Sequence, residues 1–421
     1  MHELPRSRTL SLSLLAGCAT ALAGPDVVVQ QVDPVASLRA EGPAGLARLL
    51  DRHDRMAEGP ARDALANTID AVAAQRYATV SRLYWYTDLG TAQAAAREQQ
   101  RPILALRLLG RLDEDLSCAN SRLFRTVLYA NGEVSKFLRD NFVLYWSSER
   151  PAPRVTIDYG DGRKIERTTT GNSAHYVLDD RGRVLDVLPG LYAPAIFKAE
   201  LARSLALAKH VRGKAQPQLA IRQYHAAASA AVDKMFAGVA GAKYVRPAGV
   251  AAAGESEVGR AERMTVSKAV MEIPDLERIG IAAGAVPTED IGQWFTIGQR
   301  VWNLVPKRQS PNATWYGILD ERSLALITRL HNAGPETASL PDLTRMLGRL
   351  EQNVIADSAL NQFRLRQQIR ERLVASESLA FEPLNEWIYA HVFATPKADA
   401  WLGLLPRTDF TGLPGDGVVM Q

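Results

Sequence analysis

The chain of 421 residues is longer than one ordinary hydrophobic core, so two or three domains are expected. Hydrophobic residues make up 47% of it and charged residues 23%, as in soluble globular proteins. The net charge of +4 comes from 50 basic and 46 acidic residues mixed throughout. No single basic surface follows from this balance, and no nucleic-acid partner is expected.

Residues 1–24 have the pattern of an export signal, with two arginines, a short apolar run and small residues at the end. The apolar run is too short to span a bilayer. Residues 15–18, L-A-G-C, resemble the bacterial lipobox, in which Cys18 is acylated and becomes the first mature residue. Residues 21–23, A-L-A, fit ordinary signal cleavage instead. We expect the lipobox, because Cys18 directly follows the apolar run, and therefore an exported periplasmic or outer-membrane-anchored lipoprotein. A cytosolic protein that begins with an amphipathic helix is the alternative.

The remaining chain divides by composition and periodicity into further segments. Residues 25–80 are predicted as a helical lead-in whose helices are separated at Gly42-Pro43 and Gly59-Pro60. Residues 81–212 alternate between strand and helix patterns. Residues 213–262 contain one helix and an Ala/Gly-rich flexible linker, and 263–421 are predicted to be mostly helical.

The middle segment has its elements in a characteristic order. Residues 102–109 are an apolar run typical of a central parallel strand, and Cys118 follows them after an acidic loop, at the start of a predicted helix. Another strand is predicted at 142–146. A hairpin at 155–167 turns at Gly160-Asp161-Gly162, and strands at 175–178 and 184–188 precede a helix that begins at Pro194.

This order of elements resembles a thioredoxin-like domain over about residues 83–212, so the predicted fold class is α/β with a thioredoxin-like centre. The resemblance implies a Cys-x-x-Cys motif at the helix start, but here the motif is Cys118-Ala-Asn-Ser121. With serine in the second position the chain cannot close its own disulfide, and monothiol exchange through a mixed disulfide remains. In that scheme Cys118 is the nucleophile and Ser121 a hydrogen-bond neighbour of its thiolate. The resemblance also implies a cis-proline facing the cysteine, where this chain has residues 171–173, G-N-S.

Two functions remain open at this point. The first is monothiol thiol–disulfide exchange on envelope protein thiols, helped by the dipole of the helix that starts at Cys118. The second is a non-catalytic module that binds an envelope partner, with Cys118 as a buried apolar residue. The two hypotheses differ in whether Cys118 is exposed and activated. No metal or cofactor is expected, because the histidines are scattered without ligand spacing. The oligomeric state is open.

Three other features have ordinary structural interpretations. The arginines between 364 and 372 are predicted to form the solvated face of a helix rather than an anion site. His175, on a predicted strand near the Cys118 loop, is expected to be a core or edge histidine. The aromatic cluster at 84–86 is expected to pack in the core.

Overall fold

The computed structural model describes most of the chain beyond the N-terminal segment. The described residues are 33–214, 216–241, 265–278, 288–305, 316–402, 404–405 and 412–419. The predicted signal, both cleavage sites and Cys18 lie outside these residues, as does most of the predicted flexible linker. Within the described ranges, no helix is both long enough and apolar enough to cross a bilayer.

Short helices form the lead-in, and two of them begin at the two Gly-Pro steps where breaks between helices were predicted. They are α1 (Pro34–Ala40), α2 (Pro43–Asp54), α3 (Pro60–Ala73) and α4 (Ala78–Ser81). Proline begins α1, α2 and α3, a position where its missing N–H costs no helical hydrogen bond. Apolar side chains of α2 and α3 make a small core that Tyr84 joins. Its central members are Leu46, Leu50, Leu65, Ile69 and Val72.

A four-stranded mixed sheet occupies the middle of the chain. In chain order the strands are β1 (Ile103–Leu109), β2 (Val143–Arg150), β3 (Arg154–Asp158), β4 (Lys164–Thr168), β5 (Ala174–Leu178) and β6 (Val184–Pro189). The order in the sheet is β2-β1-β5-β6. Strand β1 runs parallel to β2 and antiparallel to β5, and β5 is antiparallel to β6. Every residue of β1 is buried, which confirms the strand predicted from its apolar run.

Helices precede, connect and follow these strands. Helix α5 (Leu89–Gln99) leads into β1. Helix α6 (Ala119–Leu123), which continues as a π-helical turn at Phe124–Leu128, and α7 (Gly132–Asn141) connect β1 to β2. Helix α8 (Pro194–Val211) follows β6 and begins at the proline that predicted it. The predicted α/β class is therefore confirmed, with helices on both sides of the sheet region in sequence.

Strands β3 and β4 form a separate two-stranded sheet, inserted in sequence between β2 and β5. Ile157 pairs with Ile165, and the turn passes through Gly160 and Gly162, whose φ angles are 75° and 92°. Glycine adopts such positive φ angles without the steric cost that a Cβ brings. The hairpin predicted from the Gly-Asp-Gly turn is confirmed, and its strands are largely exposed.

The C-terminal part is helical throughout most of its described length. Its helices are α9 (Gln218–Ala240), α10 (Val266–Arg278), α11 (Thr288–Leu304), α12 (Glu321–His331), α13 (Leu340–Leu360), α14 (Arg366–Ala375) and α15 (Phe381–Trp387). Helices α13 and α14 are joined by a π-helical turn at Asn361–Leu365. Gly298 of α11 lies against Ile355 of α13, where an added Cβ would be 2.8 Å from the Ile355 carbonyl oxygen. This glycine allows α11 and α13 to pack closely.

The predicted solvated arginine face is wrong for Arg364, Arg366 and Arg370, which are buried, and confirmed for Arg372, which is exposed. Arg366 donates to the carboxylates of Asp186 (2.7 Å) and Glu200 (2.6 Å). Asp186 belongs to β6 and Glu200 to α8, so the arginine face of α14 packs onto two acids of the α/β region. Charges are buried in proteins when they are paired, and this pairing explains why the arginines turn inward.

Candidate functional site

Cys118 is held at the end of β1 by a tight loop. It occupies the N-cap position of α6, after a strand and before a helix as predicted, and its backbone N–H donates to the carbonyl of Leu109 at 3.1 Å. The loop approaches the strand closely at Gly110, where an added Cβ would be 2.9 Å from the Cα of Ser117. Gly110 also has a φ of 75°, so a larger residue there would both clash and be strained.

The loop before β5, where the thioredoxin-like resemblance implies a cis-proline, faces the thiol. The Sγ of Cys118 lies 3.1 Å from the Oγ of Ser173, and both residues have no exposed surface. No cis peptide bond occurs among the described residues. At the position where the thioredoxin-like resemblance implies a cis-proline, the hydroxyl of Ser173 lies beside the sulfur instead.

Ser121 lies one turn into α6 from Cys118 and is also buried. Its hydroxyl donates to the Oγ of Ser117 and to the carbonyl of Cys118 at 3.2 Å. The thiol's hydrogen-bond neighbour is thus Ser173, whereas the Ser121 hydroxyl closes the helix turn. Arg125, which is nearly buried, donates to the carbonyl of Leu112 at 3.1 Å and to the Oγ of Ser117 at 3.1 Å. These contacts fix the loop before Cys118.

Residues of the C-terminal region hold the facing loop in place. The Glu272 carboxylate of α10 accepts a hydrogen bond from the backbone N–H of Thr170 at 2.7 Å. The hydroxyl of Thr265 donates to the side-chain oxygen of Asn172 at 2.8 Å. Tyr389, on the π-helical turn Ile388–Val392 that follows α15, donates to the carbonyl of Asn172 at 3.0 Å. The loop that faces Cys118 is therefore fixed by two separate parts of the C-terminal region.

His175 is a core residue rather than a partner of the thiol. Its Nε2 lies 2.6 Å from the hydroxyl of Tyr129, and its ring packs against the rings of Phe124 and Phe197. Burial lowers the pKa of His175 to about 3, so the imidazole is neutral at physiological pH. The prediction of a core or edge histidine is confirmed.

No protein-family model, curated protein or solved structure matches this chain. Its chemistry must therefore be inferred from the residues around Cys118. Those residues are hydroxyl, amide and aromatic groups packed without exposed surface. Among the described residues, no group of three or more histidine, cysteine or acidic side chains has an arrangement that could hold a metal ion.

The residues that cover the loop were not found in the sequence. Tyr389 and Glu272 lie in a segment predicted only as mostly helical, and neither belongs to a motif. Apolar periodicity shows which face of a helix is buried, but not which distant loop that face covers. Only the tertiary structure shows that Tyr389 and Glu272 contact the loop that faces Cys118.

Proposed function

We propose that this chain is a thioredoxin-like protein of the cell envelope that acts as a non-catalytic interaction module. The single observation that carries this proposal is the complete burial of Cys118 beneath a loop fixed by the C-terminal helices. A thiol that exchanges disulfides must meet a sulfur atom of another molecule, and burial prevents that encounter.

The sheet topology supports the thioredoxin-like part of the proposal. A parallel β1-α-β2 unit is followed by the antiparallel pair β5 and β6 and a closing helix α8, and the cysteine lies at the start of the first connecting helix. The expected loop also faces the cysteine, through Ser173. The β3–β4 hairpin is an insertion between the two halves of this arrangement.

Monothiol exchange at Cys118 is the second candidate, favoured by the position of Cys118 at a helix start. Helix N-termini stabilise thiolates through their dipole and free N–H groups. For that activity Tyr389 and the segment around Thr265 would have to leave the facing loop, so that a mixed disulfide could form at Sγ and be resolved by an external thiol. The two functions therefore differ in a measurable property, the accessibility of one sulfur atom.

Alkylation of Cys118 by iodoacetamide tests the proposal in the full chain carrying Cys18→Ser. We expect the native protein to react at least ~100-fold more slowly than the urea-unfolded protein, because reaction requires an opening of the structure. A matched control is Ser148→Cys in a Cys118→Ala background, since Ser148 is exposed at the end of β2. A native Cys118 that reacts within about tenfold of the unfolded chain would instead support monothiol exchange.

Export and lipid attachment are proposed from the N-terminal pattern, with Cys18 as the acylated residue and an envelope protein as the partner. Mass spectrometry of the mature N-terminus tests this attachment. A lipid-modified Cys18 at the first position supports it, whereas a mature chain that begins at Gly24 contradicts it.

A further inference from the structure

A cleft of about 420 Å³ lies between helix α2 and the first residues of β2, away from Cys118. Its volume is within the range of small-molecule sites, which are concave, mostly apolar and lined by a few polar groups. Apolar and aromatic side chains from the lead-in, from the segment before α5, from β2 and from the residue that precedes β2 form its wall. They are Leu46, Leu50, Tyr84, Tyr86, Phe142 and Leu144.

The aromatic part of this wall is fixed by its own contacts. The rings of Tyr84 and Tyr86 meet edge to face, with centroids 5.0 Å apart. The hydroxyl of Tyr84 donates to the carbonyl of Arg39 at 2.9 Å, so its hydrogen-bonding capacity as a donor is already used. Tyr84 is 8% exposed, so the partly exposed ring of Tyr86 supplies the accessible aromatic surface of the cleft. Ordered rings of this kind bind apolar groups at little entropic cost.

Arginines line the other side of the cleft. Arg82 is paired with Asp54 at 2.8 Å. Arg101 donates to the carbonyl of Arg139 at 2.9 Å, and Arg139 donates to the carbonyl of Ser81 at 2.8 Å. Within the described part of the chain, neither Arg101 nor Arg139 forms an ion pair with a carboxylate. A guanidinium has five N–H donors, and both side chains therefore retain donors for a ligand.

The electrostatic surroundings of Arg139 also favour an anion. Its side chain is about half-buried, and burial together with the nearby guanidinium groups of Arg322 and Arg82 lowers the pKa of Arg139 against the opposing effect of the Asp140 carboxylate. A positive charge that is partly desolvated and close to another is stabilised when an anion binds beside it. Arginine is suited to carboxylates, since its planar fork donates two parallel hydrogen bonds.

We propose that this cleft binds an amphipathic monocarboxylate, with its apolar chain against the leucine and tyrosine wall and its carboxylate on Arg101 and Arg139. Asp140 interacts electrostatically with both arginines, but it is exposed and already paired with Lys136, so the two guanidinium groups retain charge for one carboxylate. Asp51, which also lines the cleft, repels any anion, so the positive charge of the two arginines suffices for a single carboxylate and not for two. The ligand class is therefore a fatty acid or a similar acyl carboxylate. The site is independent of the proposed function at Cys118.

Isothermal titration of the full chain with sodium decanoate, below its micelle concentration, tests this site. We expect saturable binding with one site per chain. Arg139→Gln is expected to weaken binding by about tenfold or more, because it removes a charge-assisted hydrogen bond to the carboxylate. Ala47→Trp places an indole in the cleft from an exposed position on α2 and is expected to abolish binding. Decanol, the neutral equivalent of decanoate, is expected to bind at least ~tenfold more weakly.

Arg154→Gln is the matched control, since it removes one arginine from the exposed hairpin and should leave binding unchanged. Circular dichroism of each variant checks that the fold is retained. The absence of saturable decanoate binding in the wild-type chain would overturn the proposal. Equal affinity for decanoate and decanol would overturn the role of the arginines, and unchanged binding by Ala47→Trp would overturn the location.

Discussion

Replacing Arg366 by methionine is expected to lower the free energy of unfolding by about 3–5 kcal/mol. Arg366 has no exposed surface and joins Asp186 and Glu200, which are also buried. Burial alone would raise the pKa of Asp186, but the guanidinium of Arg366 lowers it to about 2. Without Arg366, Asp186 and Glu200 lose the guanidinium that contacts both of them. Arg370, at 3.9 Å from Glu200, and the largely exposed Arg203, also paired with Glu200, replace it only in part.

Urea denaturation followed by circular dichroism measures this effect. The matched control is Arg345→Met, which removes an exposed arginine paired with Asp342, and surface ion pairs contribute about 0–1 kcal/mol. A second variant separates lost pairing from lost packing. In Arg366→Met combined with Asp186→Asn, Asp186 no longer carries a buried charge and Glu200 keeps Arg370 and Arg203 as partners, so part of the stability should return. If Arg366→Met unfolds at the wild-type urea concentration, the pairing contributes nothing and the prediction is wrong.

Replacing Tyr389 by alanine is expected to increase the alkylation rate of Cys118 at least ~100-fold in the native protein. Tyr389 is buried and its hydroxyl holds the carbonyl of Asn172, next to the residue that contacts the thiol. Truncating a buried aromatic side chain to alanine costs about 3–5 kcal/mol and leaves a cavity over the loop. Tyr389→Phe keeps the ring and loses one hydrogen bond of about 1 kcal/mol, so its rate should rise by less than about tenfold.

The rates are measured with iodoacetamide in the Cys18→Ser chain, under native conditions and with the fold checked by circular dichroism. Tyr159→Ala is the control, because Tyr159 is an exposed aromatic residue of the β3–β4 hairpin and covers no thiol. Equal alkylation rates for wild type, Tyr389→Phe and Tyr389→Ala would show that Tyr389 does not protect the thiol. The proposal that Tyr389 keeps Cys118 inaccessible would then be wrong.

Local signals predicted much of the sheet region. The apolar run of β1, the Gly-Asp-Gly turn of the hairpin and Pro194 at the start of α8 each act within a few neighbouring residues. Such signals depend on backbone preference and on periodicity, both of which a single sequence displays. The position of Cys118 at the start of a helix followed from the same kind of pattern.

The burial of the arginines could not be predicted in this way. Arg366 is 180 residues from Asp186 and 166 from Glu200, and no local pattern indicates that these charges meet. A helix face with several arginines is usually exposed to solvent, so this general rule predicted exposed arginines where three are buried. The contacts of Glu272 and Tyr389 with the loop that faces Cys118 could not be predicted for the same reason. Both residues contact a loop more than 100 residues earlier in the chain.

The long separation between Arg366 and its two acids also governs how this chain can fold during synthesis. When β6 and α8 have left the ribosome, Asp186 and Glu200 precede their arginine partner by more than 160 residues. At synthesis rates of about 5–20 residues per second, that interval lasts roughly ten to thirty seconds. If the α/β region packs first, its two carboxylates stay solvated on the surface that α14 later covers. Its final packing is completed only when the C-terminal helices arrive.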